Sequence, residues 1–491
     1  MMTIVLQLLV LLVAFPYTSG DSSRPKVLIL GGGLAGLQAG NVLQQNGVRD
    51  FLILEADDRL GGRFLSPCPP EVPACVTEFH IEPSLPSPHP LQQLLERCKI
   101  ANGTGAEENL VAVDDEGNDV TKEMNEAFGR LEITFTSLLV EWTPEEDDMD
   151  LQGSSRLYGW HPQTPVEQAL DVYFSDLTFS ARSSEMSTHV AVTSIGAAIS
   201  QAGEYLNYFV KDSRTGFQDI VDCLKNGFLT QSDERVKLNT NVTHIQYSES
   251  GVTVTTADGT KYTADYAVVT FSLGVLQHET VRFVPSLSYS KRKTINKFSF
   301  GFYTLVYSQF STRVDDPTSR VDEAPPYYIS VTRRRNVYHF FYDAYETIER
   351  KVNHSQPNSL FIHWLIGNDA IRVETQEMSK TKAEVTQIFR GFFGRSTPEP
   401  ENVFVSKANT NPLYYGSSPS FPSGATYEDY DKLREPLGRV FFAGDAYYMA
   451  ESLNGATRAL YSGTETAMAV IECMNGRSCA MKQYGSSPKC P

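Results

Sequence analysis

The chain has 491 residues, more than one hydrophobic core usually organises, so two or three domain-sized units are expected. With 41% hydrophobic and 21% charged residues, its composition is that of a folded globular protein and excludes wholesale disorder. A net charge of −17 excludes the basic footprint of a nucleic-acid binder; an acidic field steers cations inward or simply keeps the protein soluble.

Residues 1–20 hold one apolar run, Ile4 to Phe15, then Pro16 and the small residues Thr18, Ser19 and Gly20. That length suits the core of a secretory signal peptide and is too short to span a bilayer, although no basic residue precedes it. No later segment reads as a membrane span. Asn102-Gly-Thr, Asn241-Val-Thr and Asn353-His-Ser are acceptor patterns for N-glycosylation and agree with export. The seven cysteines lack the spacing of a zinc site. Cys68 with Cys75, and Cys473 with Cys479, enclose short loops and are candidates for local disulfides in an oxidising compartment; an odd count leaves at least one cysteine over.

Lys26-Val-Leu-Ile-Leu30 reads as a strand and runs into Gly31-Gly-Gly-Leu-Ala-Gly36. Leu34, Leu37, Val42 and Leu43 follow at helical spacing until Asn46-Gly47, and Phe51-Leu-Ile-Leu54 closes on Glu55. In this strand–turn–helix–strand unit Gly31 permits the tight turn and Gly33 the approach of backbone to a pyrophosphate. Gly36 permits close packing of helix on strand, and Glu55 is placed to accept hydrogen bonds from ribose hydroxyls. The unit predicts dinucleotide binding.

Ala56-Asp-Asp-Arg-Leu-Gly-Gly-Arg63 resembles the sequence that follows the ribose acid in flavin-dependent amine oxidases. The resemblance continues through Ala267-Val-Val-Thr-Phe-Ser-Leu-Gly-Val-Leu276, Arg439-Val-Phe-Phe-Ala-Gly-Asp445 and Leu453-Asn-Gly-Ala-Thr-Arg458. Within that family it is strongest to secreted polyamine oxidases of plants and fungi, through Thr164-Pro165 and Phe302-Tyr-Thr-Leu-Val306. It implies an α/β fold: a Rossmann-like FAD-binding domain with a discontinuous substrate domain of mixed sheet and helices. The implied division assigns 25–80, 212–295 and 405–472 to FAD, 81–211 and 296–404 to substrate, and 473–491 to a C-terminal tail. Gly62 and Arg63 would lie along the pyrophosphate, and Val242 would meet the adenine through its backbone. Asp445 would bind the ribityl hydroxyls, and Thr457, at the N-terminus of the last helix, would face the flavin pyrimidine. Relatives with covalent flavin carry a cysteine after a glycine where this chain has Tyr415-Gly416-Ser417, and no cysteine lies between Cys223 and Cys473. FAD is therefore expected without a covalent link. The partners implied are a small-molecule amine and O2, with release of peroxide.

The substrate side departs from the resemblance. Tyr303 matches the family tyrosine and is the candidate catalytic residue, but Leu305 stands where the family has a lysine that reaches the flavin through a water. Lys297 lies eight residues away and is no replacement. Glu78 matches a family acid and His89 a later position, yet Leu85 stands where polyamine oxidases have a carboxylate, and Gln218 falls where plant enzymes have a second. Ser418 and Ala456 fall at the aromatic walls, Ala408 and Asn409 at a tryptophan pair. Two functions follow as expectations: an amine oxidase, polyamine first or a different amine or amino acid, and an exported FAD-binding protein with little or no activity.

Overall fold

The computed structural model describes residues 24–64, 78–81, 90–104, 109–142, 148–192, 206–209, 218–314, 326–333, 338–344, 358–448 and 455–484. The signal segment, Cys68, Cys75, Glu82, Leu85, His89, Asn353, Glu451 and Asn454 lie outside them, and Glu78 is described in its backbone only.

The chain opens with β1 (Val27–Leu30), α1 (Leu34–Gln45) and β2 (Phe51–Leu54), as the spacing predicts. Both strands are apolar throughout because both faces of the sheet are buried, one against helices and the other against a second core. Asn46 ends α1: its side-chain amide donates to the Val42 carbonyl at 2.8 Å, and Gly47 turns away at φ +81°. Next come β3 (Glu78–Ile81), α2 (Pro90–Arg97), β4 (Ala101–Thr104) and β5 (Asn109–Asp114). The helix α3 (Thr121–Glu141) buries Met124, Ala127, Leu131, Phe135 and Leu138 on one stripe. Ile133 falls off that stripe and is 69% exposed. After α4 (Leu151–Leu157), Thr164 and Glu167 form a reciprocal capping box that starts α5 (Pro165–Asp171).

There follow β6 (Leu206–Phe209), α6 (Gln218–Asn226), β7 (Val236–Lys237), β8 (Val242–Ser248), β9 (Gly251–Thr256), β10 (Lys261–Ala264) and β11 (Tyr266–Val269). The stretch from Val236 to Ile245 thus forms two strands in two sheets. Asn239, in the left-handed region at φ +52°, breaks it, and Glu55 takes the Thr240 N–H at 2.7 Å on its carbonyl. Further on are α7 (Leu273–Gln277), β12 (Arg282–Val284), α8 (Tyr289–Lys297), β13 (Ser299–Gly301), β14 (Tyr303–Gln309), β15 (Pro326–Val331), β16 (Phe340–Asp343) and β17 (Leu360–Ile366). The chain then forms α9 (Gly367–Thr375), α10 (Met378–Phe393), β18 (Asn402–Val405), β19 (Ser418–Ser420), α11 (Tyr427–Arg434), β20 (Val440–Phe442) and α12 (Gly455–Met474).

Two sheets organise the molecule. A parallel five-stranded sheet runs in the order β20-β11-β1-β2-β7. One side is covered by α1, α2, α6 and α12, where a Cβ on Gly463 would stand 2.4 Å from the Ala35 carbonyl oxygen, so α12 and α1 touch backbone to backbone. A six-stranded sheet, β18-β14-β17-β16-β15-β5, is antiparallel except where β15 meets β5. Its back face packs on α10 through Val306, Phe361, Leu365, Val385 and Phe389. Its front face, carrying Tyr303, Leu305, Tyr307 and Trp364, joins the large core shared with the parallel sheet. The fold is therefore mixed α/β, as expected.

Candidate functional site

The C-terminal ends of the parallel strands gather most of the residues singled out in the sequence. The chain leaves β1 to one side through α1 and returns on the other at β11, so a crevice opens between the ends of these two strands. Gly31 sits at that point with φ +114°, and a Cβ there would lie 2.4 Å from Thr270 Oγ1, which caps the Leu30 and Gly31 carbonyls at 3.0 and 3.1 Å. A Cβ on Gly36 would stand 2.0 Å from the Gly31 carbonyl oxygen, so only glycine lets α1 start there. Gly33 differs: the nearest atom to its virtual Cβ is Gly62 Cα at 4.0 Å. The turn at Gly61 and Gly62 lies directly on the Gly31–Gly33 turn, through the Gly61 N–H to the Gly32 carbonyl at 2.9 Å.

Glu55, at the end of β2, is buried and accepts the Gly32 N–H at 2.5 Å and the Asp57 N–H at 2.8 Å. Burial pushes its carboxyl above the ordinary range, and those two N–H donors pull it back. Val242 lies two residues beyond Thr240, whose N–H Glu55 holds, and is buried in β8.

Arg63 and Asp445, 382 residues apart in sequence, meet through Nη2 to Oδ1 at 2.7 Å and Nη1 to Oδ2 at 3.0 Å. Arg63 also donates to the Ser417 carbonyl at 2.9 Å and lies over the Phe300 ring at 5.2 Å. Asp445 follows β20 and faces the first turn of α12, where a Cβ on Gly455 would stand 3.8 Å from its Oδ2. Thr457 is buried in that turn. The structure thus brings Gly31, Gly33, Gly36, Glu55, Gly62 and Arg63 together with Asp445 and the start of α12.

Tyr303 connects this edge to the front face of the second sheet. Its backbone N–H donates to Ser417 Oγ at 2.7 Å, its ring stacks on Trp364 at 6.1 Å, and its phenol lies within electrostatic reach of Arg63 and Asp445. Burial raises the phenol above its usual value, Arg63 opposes this, and the group stays protonated. Leu305 projects on the same face, paired across the strands with Trp364. Lys297 is spent elsewhere, on Asp429 at 2.5 Å and the Gly424 carbonyl at 2.7 Å.

Several residues here carried no sequence signal. Glu374 is buried in α9 and accepts bonds from Thr304 Oγ1 at 2.6 Å, Asn409 Nδ2 at 2.6 Å, the Asn409 N–H at 3.2 Å, and the Thr410 hydroxyl and N–H at 2.8 Å each. Asn409 also donates to the Tyr303 carbonyl at 3.1 Å, so Glu374 clamps the loop to the strand that bears Tyr303. Asn409, which falls at the family's tryptophan pair, thus ties the loop to the strand through its amide. Gln218 donates along its own helix to Asp222 at 3.4 Å. Cys473 and Cys479 form the expected disulfide, and a second joins Cys98 of the segment after α2 to Cys223 of α6, which no spacing foretold. Among the described residues no cluster suits a metal and no helix is long and apolar enough to cross a membrane.

Comparisons with known proteins agree with this geometry. Residues 34–471 match the family described as flavin containing amine oxidoreductase. Polyamine oxidase 1 of Zea mays is 29% identical over 94% of this chain and 93% of its own length, and polyamine oxidase 6 of Oryza sativa subsp. japonica is 28% identical over 94% of each. A solved structure of wild-type putrescine oxidase bound to putrescine superposes with a TM-score of 0.69 at 17% identity, over 91% of this chain and 99% of that one, a likeness of fold. The chain belongs to the flavin containing amine oxidoreductase family.

Proposed function

We propose that the chain is an exported oxidase of a CH–NH bond that binds FAD without a covalent bond and returns its electrons to O2 as peroxide. The observation that carries this reading is the convergence of the Gly31–Gly36 turn, Glu55, the Gly61–Arg63 turn and Asp445 at one sheet edge, against the face that bears Tyr303. FAD, when bound, supplies the acceptor for hydride from the amine carbon.

The residues fit that cofactor. The space over Gly33 suits a pyrophosphate at the start of α1, where N–H groups favour negative charge. Glu55 has lone pairs left for ribose hydroxyls, and Arg63 supplies phosphate charge from a position anchored by Ser417 and Asp445. Asp445 takes the ribityl hydroxyls, Val242 meets the adenine edge, and the N–H groups around Thr457 face the flavin pyrimidine. The proposed division of the chain is 25–80, 212–295 and 405–472 for the cofactor, with 81–211 and 296–404 for the substrate. Tyr303, Leu305 and Trp364 wall the amine and exclude water. Leu305 brings no proton carrier where the family has lysine, and acid–base help of that kind is worth about 10²–10⁴-fold in rate. Leu305 is also what favours the second reading, a FAD-binding protein with little turnover. Export rests on the first twenty residues and on the two disulfides.

The direct test is to assay purified protein in air for amine-dependent oxygen uptake and peroxide. Peroxide in proportion to amine consumed supports the oxidase; a yellow protein that consumes neither supports the second reading, and a colourless one contradicts both.

A further inference from the structure

The turn Tyr414–Ser417 crosses the edge where the two sheets meet, in a conformation that side chains seldom take. Tyr415 stands in the left-handed region at φ +50°, and Gly416 follows at φ +144°. A Cβ on Gly416 would fall 1.6 Å from Phe300 Cδ1, so the turn folds tightly over the ring on which Arg63 also lies. Ser417 comes next and is an anchor for both sides. Its carbonyl accepts from Arg63 Nη1 at 2.9 Å. Its hydroxyl accepts the Tyr303 N–H at 2.7 Å and donates to the Gly301 carbonyl at 2.8 Å.

The turn is held on two sides. On one, the Tyr415 and Gly416 N–H groups donate to the Asn411 and Ala408 carbonyls at 2.9 and 3.1 Å. On the other, α7 and its flanking residues press against it. Ser272 Oγ donates to the Tyr414 carbonyl at 2.5 Å, and a Cβ on Gly274 would meet the Tyr415 and Tyr414 carbonyl oxygens at 2.4 and 2.6 Å, so the two backbones touch. The Tyr415 side chain enters through a stack on His278, with ring centroids 3.9 Å apart and planes 10° from parallel. His278 Nδ1 lies 2.8 Å from the Gly274 carbonyl, which can only accept, so that nitrogen carries a proton and the imidazole is oriented from its own helix. A bulky residue in the left-handed region persists where its surroundings over-determine it, and ligand clamps are a common place for that. What these surroundings fix is Ser417.

We propose that Tyr415, stacked on His278, is a positioning residue of the flavin site: the pair holds Ser417 where its carbonyl aims Arg63 at the cofactor phosphates. The proposal rests on the reading that FAD lies beside Arg63. It adds a route from α7, which lies outside the glycine-rich turns, to cofactor affinity. The route runs from His278 to the Tyr415 ring, along the turn to Ser417, and from the Ser417 carbonyl to Arg63.

The test is fluorescence titration of the apoprotein with FAD, with the visible circular dichroism of the bound flavin and the thermal midpoint of the apoprotein read in parallel. Tyr415→Phe keeps the stack and should bind FAD as the parent does. Tyr415→Ala and His278→Ala each remove the stack and should weaken FAD binding about tenfold and change the flavin dichroism. The two changes together should cost no more than either alone. Tyr415→Gly takes the turn without strain, so its apoprotein should melt no lower than that of Tyr415→Ala while losing the same affinity, which assigns the effect to the ring. In an Arg63→Ala protein, Tyr415→Ala should cost nothing further. Parent-like affinity and dichroism in Tyr415→Ala or Tyr415→Gly, a loss in Tyr415→Phe equal to that in Tyr415→Ala, or losses that add to that of Arg63→Ala or of His278→Ala, overturn the proposal. A parent apoprotein that takes up no FAD removes the cofactor reading and the proposal with it; a parent that binds FAD beside unaffected variants removes the proposal alone.

Discussion

Arg63 and Asp445 form a two-point ion pair that closes the first glycine-rich end of the chain onto its last strand. The side chains are 22% and 10% exposed, so neither charge is well served by solvent once its partner is removed. Arg63→Ala is expected to weaken FAD binding by about tenfold to a hundredfold, and Asp445→Ala by a similar factor. The double variant should lose less than the two together, because each single change strands the other charge. Fluorescence titration of the apoprotein with FAD measures all three; additive losses would show that the pair is not a unit.

Gly33 and Gly36 should fail in different ways. A side chain at Gly36 collides with the Gly31 carbonyl, so Gly36→Ala damages the fold itself. At Gly33 the protein leaves room, so Gly33→Leu should fold with an unchanged circular dichroism spectrum and carry no flavin. A yellow Gly33→Leu protein would remove the pyrophosphate from this turn.

Non-covalent binding has a simple check. Gly416 is followed by Ser417, whose hydroxyl is committed to the Gly301 carbonyl at 2.8 Å, and no thiol stands at that place. Acid precipitation should release all the yellow colour into the supernatant. Colour held in the pellet would mean a covalent link.

The nucleotide end was legible in the sequence because its requirements are local. Gly31, Gly36 and Glu55 follow from a turn, a close packing and a strand end within thirty residues of one another. Arg63, Asp445 and Tyr303 were legible only through resemblance, since their meeting depends on segments hundreds of residues apart. Glu374 and Trp364 were not legible. A buried glutamate and a tryptophan on an apolar strand have the pattern of ordinary core or surface residues, and only the register of β14 against β17 and the loop over Glu374 give them a role. The Cys98–Cys223 disulfide was hidden for the same reason, with 125 residues between its ends.

His363 should make stability acid-sensitive. It is fully buried among Tyr338, Phe341 and Phe389, neither ring nitrogen has a hydrogen-bond partner among the described residues, and burial lowers its pKa from 6.5 to about 3. Between those values the unfolded chain takes up a proton that the folded chain refuses. The stability associated with the neutral ring is therefore fully present above pH 6.5 and is lost as pH falls toward 3. By pH 5 the loss is about 2 kcal/mol. Urea midpoints at pH 7 and pH 5 should lie closer together in His363→Phe than in the parent protein. An equal separation would mean that the imidazole finds a proton acceptor in the folded state.

The most direct measurement is the absorbance spectrum of the purified protein before and after anaerobic addition of amine. The expected result is an oxidised-flavin spectrum that bleaches on adding a monoamine, bleaches far more slowly with spermine, and returns when air is admitted. A protein whose flavin stays oxidised under every amine, or that is isolated with no flavin at all, would contradict the assignment of an amine oxidase.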